Sequence, residues 1–161
     1  MLEVGKNTYV TIAEADKYIE ENYSPKNILR AHWTVCPDEY KEQYLRKSMI
    51  EIEALPFVGR KTIWSSELQF PRTLLNAPLY VMHSPIYLMY NRDDSKVPKE
   101  VKEAEIENAL GIIQKSYRPT SKAVVLSALG LVPVFSDGMG KKLSSEKAER
   151  LLKPFLGAIK A

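Results

Sequence analysis

The residues best suited to do chemistry in this sequence are a histidine close to a cysteine, two pairs of acids, one glycine-lysine run and several tyrosines beside basic side chains. His32 and Cys36, with Trp33 between them, could pair an imidazole with a thiol, the combination that activates a nucleophile. No cysteine-nucleophile signature surrounds them. Trp33 is therefore expected as a core anchor at the end of a loop, His32 as a surface or capping residue, and Cys36 as a small packed hydrophobe. Cys36 is the single cysteine and His83 the one other histidine, so neither an internal disulfide nor a ligand cluster at metal spacing is expected. Glu20/Glu21 and Asp93/Asp94 are carboxylate pairs of the kind that move protons or bind a divalent cation. Each pair falls on a solvent face or in a polar loop, where solvated charge is the expectation.

Gly138-Met139-Gly140-Lys141-Lys142 resembles a fragment of a phosphate loop. The full motif needs four residues between its glycines and a Ser or Thr directly after the Lys, and the run fails both tests. It reads as a flexible turn ahead of a helix. The nine tyrosines include Tyr44-Leu45-Arg46 and Tyr117-Arg118, and aromatic platforms interleaved with cations suit single-stranded nucleic acid. Tyr44 also lies beside an apolar helical stripe, so core packing or subunit contact is the favoured reading there. No catalytic residue and no cofactor is expected from these groups.

The elements that must position these residues are mainly helical. Thr11 and Glu14 form a capping-box pattern, and Ile12, Ala15 and Ile19 follow as one apolar stripe until Ser24-Pro25. A second helix is expected from about Pro37 to Leu55, with Asp38 and Glu39 at its positive end and Leu45, Met49 and Ile52 facing inward. Phe57 to Phe70 reads as a loop or short extended piece containing Trp64. A third helix opens at Pro98 and carries Val101, Ala104, Ala109, Leu110, Ile112 and Ile113 up to about Ser116. A fourth begins at Ser144 or Ser145 and carries Ala148, Leu151, Leu152 and Phe155, with Pro154 limiting its end. Two apolar stretches, Pro78 to Tyr90 and Ala123 to Phe135, are expected as extended arms or hairpins.

The fold class implied is mainly α: one compact four-helix domain over residues 1–161, with one or two short β-hairpins or extended arms. A chain of 161 residues that is 45% hydrophobic and 27% charged can bury a core without staples. Its net charge of +3 comes from interspersed basic and acidic residues, too weak by itself to argue for nucleic acid. The start MLEVGKNTYV lacks a basic region followed by an apolar core, and no segment approaches the roughly 18 apolar residues of a membrane span. The expectation is a chain that is cytosolic when made, with no membrane partner.

The order of these signals resembles a phage family labelled DnaT-like single-stranded DNA-binding proteins, many of which look like head-tail connectors. The matching residues are Thr8-Tyr9-Val10-Thr11-Ile12-Ala13-Glu14-Ala15-Asp16-Lys17-Tyr18-Ile19 and the helix closing on Phe57-Val58-Gly59-Arg60-Lys61. Gln69-Phe70-Pro71-Arg72 and the helix opening at Val97-Pro98 complete the set. The family commonly has Trp-Pro-Arg where this chain has Phe70-Pro71-Arg72. The resemblance is expected to cover about residues 8–116, to be weak between Arg72 and Val97, and to fade after Ser116.

What the resemblance implies first is a structural virion protein of a tailed bacteriophage, assembled in the host cytoplasm. It would be a non-enzymatic adaptor forming a homo-oligomeric, dodecameric ring below the portal protein. Its partners would then be the portal, the next neck or tail-completion protein and, non-specifically, the passing double-stranded DNA. Tyr80, Met82, Ile86, Tyr87, Leu88 and Tyr90 would make the subunit interface, and Leu151, Leu152, Phe155 and Leu156 the portal contact. Arg118, Lys141 and Lys142 would lie near DNA. The alternative takes the family label literally: a single-stranded DNA-binding protein of phage replication, gripping its ligand with aromatic and basic side chains.

Overall fold

The computed structural model describes residues 1–73, 95–117 and 143–156. Over these residues the chain forms five α-helices, a 3-10 turn and one two-stranded antiparallel sheet. Helix α1 spans Ile12–Asn22, α2 Ile28–Val35, α3 Asp38–Glu53, α4 Lys99–Tyr117 and α5 Glu146–Leu152. The 3-10 turn Lys153–Phe155 continues directly from α5. Strands β1 (Arg60–Lys61) and β2 (Arg72–Thr73) pair in the register Arg60 with Thr73 and Lys61 with Arg72.

Helix α1 starts where its capping box requires. Thr11 Oγ1 accepts from the Glu14 amide at 3.1 Å, and the Glu14 carboxylate accepts from the Thr11 amide at 2.8 Å. Helix α3 follows Pro37, which stands at the N-cap instead of inside the first turn. Helix α5 is capped by Ser145, whose hydroxyl accepts from the Ala148 amide, and the helix tightens to 3-10 where Pro154 removes an amide.

The four-helix expectation omits α2. Trp33 is expected at the end of a loop but lies within this helix, which Asn27 caps by accepting from the Leu29 and Arg30 amides. Two turns are too few for an apolar period to register, and only Trp33 of this helix is buried. Trp33 does anchor the core, at 2% exposure.

Helix α4 is the axis of the molecule. It packs against α3 and α5 most extensively and also meets α1 and α2. Residues 104–111 are buried on every side of the helix, acids included. Gly111 marks its closest approach to a neighbour: a Cβ there would sit 2.6 Å from the Ser144 carbonyl oxygen and 2.9 Å from the Ser145 nitrogen. Gly in a helix interior costs about 1 kcal/mol relative to Ala, and here it lets the start of α5 lie against the helix backbone. No described helix is long and apolar enough to cross a membrane. The arms expected at 78–90 and 123–135 lie outside the described residues.

Candidate nucleic-acid interface

Between α3 and β2 the chain turns back on itself and projects one large aromatic into solvent. The reversal begins at Gly59, whose φ of 77° is strained for any residue with a side chain. β1 then pairs with β2, and the Thr62 amide donates to the Pro71 carbonyl at 3.0 Å. The tip closes with a turn in which the Ser66 amide donates to the Ile63 carbonyl at 3.2 Å. Lys61 Nζ donates inward to the Ser66 carbonyl at 3.0 Å, spending its charge on tying the loop. At the tip Trp64 is 84% exposed and Ile63 is 47% exposed, with exposed Arg60 on the adjoining strand.

Arg72 is the clamp that holds this loop. Its buried guanidinium donates to the Val58 carbonyl at 2.9 Å, to the Phe57 carbonyl at 3.2 Å, and to the Gly59 carbonyl and the Gln69 side chain. The fork geometry of arginine lets one side chain satisfy carbonyls on three successive residues. The blocks Phe57-Val58-Gly59-Arg60-Lys61 and Gln69-Phe70-Pro71-Arg72, separate in sequence, are thus one structure in space.

Below the clamp lies an aromatic nest. The Phe70 ring meets Phe57 edge-on at 4.8 Å, Phe155 at 5.7 Å and Tyr9 at 6.1 Å between centroids. The Phe70–Pro71 peptide is cis. The Tyr9 hydroxyl donates to Glu53 and accepts from the Phe70 amide at 3.2 Å. Glu53 also accepts the Gln69 amide, at 2.9 Å. Burial raises the Tyr9 phenol and the Glu53 carboxyl above their usual ranges, so the pair shares its hydrogen bond in a dry environment. The C-terminal turn closes the nest from the other side: the Val58 amide donates to the Phe155 carbonyl at 3.0 Å, and Phe57 bridges Leu156.

A second polar cluster surrounds Glu107 on α4. Tyr18 and Tyr23 donate their hydroxyls to its carboxylate at 2.8 and 2.7 Å, and Lys147 Nζ reaches it at 2.7 Å while lying over both rings. Every strong hydrogen-bonding group there has a partner, so the cluster binds α1, α4 and α5 together. Asp16 similarly accepts Trp33 Nε1 at 2.7 Å and Lys41 Nζ at 3.0 Å beside an open cleft of about 290 Å³. Among the described residues no three His, Cys, Asp or Glu side chains could hold a metal ion together.

Of the residues singled out from sequence, Cys36 caps α2, where burial pushes its thiol above the usual range. Glu20 and Glu21 are exposed, as expected. Leu152 and Phe155 are buried in the chain's own core, while Leu151 and Leu156 are half-buried against it. Tyr80, Met82, Ile86, Tyr87, Leu88, Tyr90, Arg118, Lys141 and Lys142 lie outside the described residues. Sequence reasoning missed the exposure of Trp64 and the role of Arg72. The available signal was the recurrence of Gly-Arg-Lys and aromatic-Pro-Arg on either side of one tryptophan.

The chain matches, over residues 2–161, the model of the family described as "Putative DnaT-like ssDNA binding protein". No curated protein and no solved structure matches it. The match runs through residues 73–96 and beyond Ser116, where the resemblance was expected to weaken or fade. Its description is that of a DNA binder and carries nothing of a head-tail connector, which overturns the reading as a structural virion adaptor. That reading rested on the resemblance to a family many of whose members look like connectors. Leu152 and Phe155, expected at the portal contact, lie in the core.

Proposed function

Because the chain belongs to the DnaT-like single-stranded DNA-binding family, we propose that it binds single-stranded DNA and that the Trp64 loop is the contact. The observation carrying this reading is an indole 84% exposed at the tip of a loop clamped from below by Arg72. An exposed tryptophan forgoes roughly 2–3 kcal/mol of apolar burial, and with the neighbouring exposed Ile63 it makes an apolar face at the loop tip. A base has a flat apolar face of similar size, and stacking on an aromatic contributes about 1–3 kcal/mol per base without reading sequence.

Arg60 supplies the complementary charge. It is exposed on the strand leading to Trp64, and its side chain has no hydrogen-bond or ion-pair partner among the described residues, which leaves the guanidinium available to a phosphate oxygen. Ile63 extends the apolar face beside the indole. The net charge of +3 predicts that few phosphates are neutralised, so affinity falls gently with salt, at a slope of about −0.7 per phosphate contacted.

Titration with a labelled oligodeoxythymidylate tests the reading. Binding with quenching of Trp64 fluorescence and a shallow salt slope is expected, with duplex of the same length competing poorly. No binding at low salt would sink the proposal.

A further inference from the structure

The proton count around Glu105 is informative. Thr8 Oγ1 lies 2.8 Å from the Val10 carbonyl oxygen and 2.7 Å from Glu105 Oε1. A hydroxyl carries a single proton, and a carbonyl can only accept, so that proton belongs to the Val10 contact. The Val10 amide donates back to the same Thr8 oxygen at 3.2 Å. The contact with Glu105 then needs a proton from the carboxyl side, because two unprotonated oxygens 2.7 Å apart in a dry interior would repel. Glu105 Oε2 accepts the Tyr9 amide at 2.8 Å, which suits the carbonyl oxygen of a neutral acid.

The surroundings agree. Glu105 is fully buried. The charged groups that act on it from neighbouring helices are both acids, Glu14 on α1 and Glu53 on α3. Lys102 on its own helix is taken by Glu14 at 2.7 Å. Ser48 on α3 binds the Glu105 backbone carbonyl, leaving the carboxyl to the N-terminal turn alone.

We infer that Glu105 is held as the neutral acid, donating its proton to Thr8, and that this proton ties the Thr8 turn to α4 and so places the adjoining Tyr9, the anchor of the Trp64 loop. The route is continuous: Glu105 Oε2 holds the Tyr9 backbone, and the Tyr9 hydroxyl holds Glu53 and the Phe70 amide, next to the Arg72 clamp. Burial holds the Glu105 carboxyl up at about 8. Ionisation would set a bare carboxylate against Thr8 Oγ1 and leave one of the two contacts without a proton. Glu105 is thus a positioning residue, and its effect on DNA rests on the function proposed above.

Carbon-13 NMR of wild-type protein reads the protonation directly. The Glu105 side-chain carboxyl resonance is expected to inflect above pH 7, and an inflection in the ordinary carboxylate range would overturn the inference. Glu105→Gln carries a donor and an acceptor in the same places, so it is expected to fold and to retain binding to oligodeoxythymidylate. Wild-type affinity should fall roughly tenfold between pH 6.5 and 9, the equivalent of one lost hydrogen bond, while that of the variant stays level. Binding that ignores pH while Glu105 titrates would break the link to the loop. Glu105 titrating above pH 7 in a protein that binds no DNA would leave the neutral acid standing and remove only the proposed function.

Discussion

Thr8 and Glu105, 97 positions apart in the chain, meet at 2.7 Å in the centre of the molecule, joining the N-terminal turn to the buried helix α4. Because burial raises the acid from about 4.5 to about 8, the folded state holds a proton that the unfolded chain releases between those values. Its contribution is full below pH 4.5 and is lost as pH rises to 8. Thermal unfolding followed from pH 5 to 8.5 should therefore show a falling Tm, with Glu105→Gln flattening that limb. Glu14, whose carboxyl is net lowered because bonds from Lys102 and Thr11 outweigh its burial, works the other way at the acid end.

Trp64 and Arg60 should separate binding from stability. Trp64→Ala removes a side chain with little buried area, so urea unfolding should move by less than about 0.5 kcal/mol. Affinity for oligodeoxythymidylate should drop by about 5- to 150-fold, the stacking of one base. Arg60→Gln should reduce both affinity and the salt slope, the latter by about 0.7. A Trp64→Ala protein that binds as tightly as wild type would place the contact elsewhere.

Arg72 should behave in the opposite manner. It is buried and donates to the carbonyls of residues 57, 58 and 59, so Arg72→Lys, with a single ammonium, should leave at least one carbonyl unsatisfied. A loss of about 2–4 kcal/mol in urea unfolding is expected. DNA affinity should weaken too, although Arg72 itself faces inward.

Gly111 should tolerate no side chain. The atoms a Cβ would strike belong to the backbone at Ser144 and Ser145, which cannot rotate away. Gly111→Ala should therefore destabilise by about 1–3 kcal/mol even though Ala is the better helix former. Differential scanning calorimetry would read it, and an unchanged or raised Tm would show that α5 shifts freely.

Much of the helical frame was legible because its signals are local. Thr11 with Glu14, Ser145 and the opening at Pro98 each announce a helix end through side chains within three or four residues, and each appears close to the position expected. α2 escaped notice because its cap is an Asn beyond a Ser-Pro turn and its two turns bury one residue. Glu105 and Glu107 carry no sequence signal that marks them off from the other acids of α4. Their burial depends on α1, α3, α5 and the N-terminal turn surrounding that helix, which no window of sequence contains. The aromatic-Pro-Arg block was visible as a pattern, but the reach of Arg72 to the carbonyls of Phe57 and Gly59 depends on the strand pairing that brings the two blocks together. Trp64 was placed in a loop correctly, yet tryptophan is so often buried that its exposure could not be read from its type.

The bridge from Phe57 to Leu156 bears on how the protein is made. Residues 57–73 leave the ribosome long before residues 153–156, so at synthesis rates of about 5–20 residues per second the Trp64 loop waits several seconds for Phe155 and the strand-like partner that closes its base. During that interval the nascent chain has the tryptophan but not the seat beneath it. The base of the Trp64 loop is thus completed by a segment translated well after the loop itself, so the seat of the proposed contact forms later than the contact.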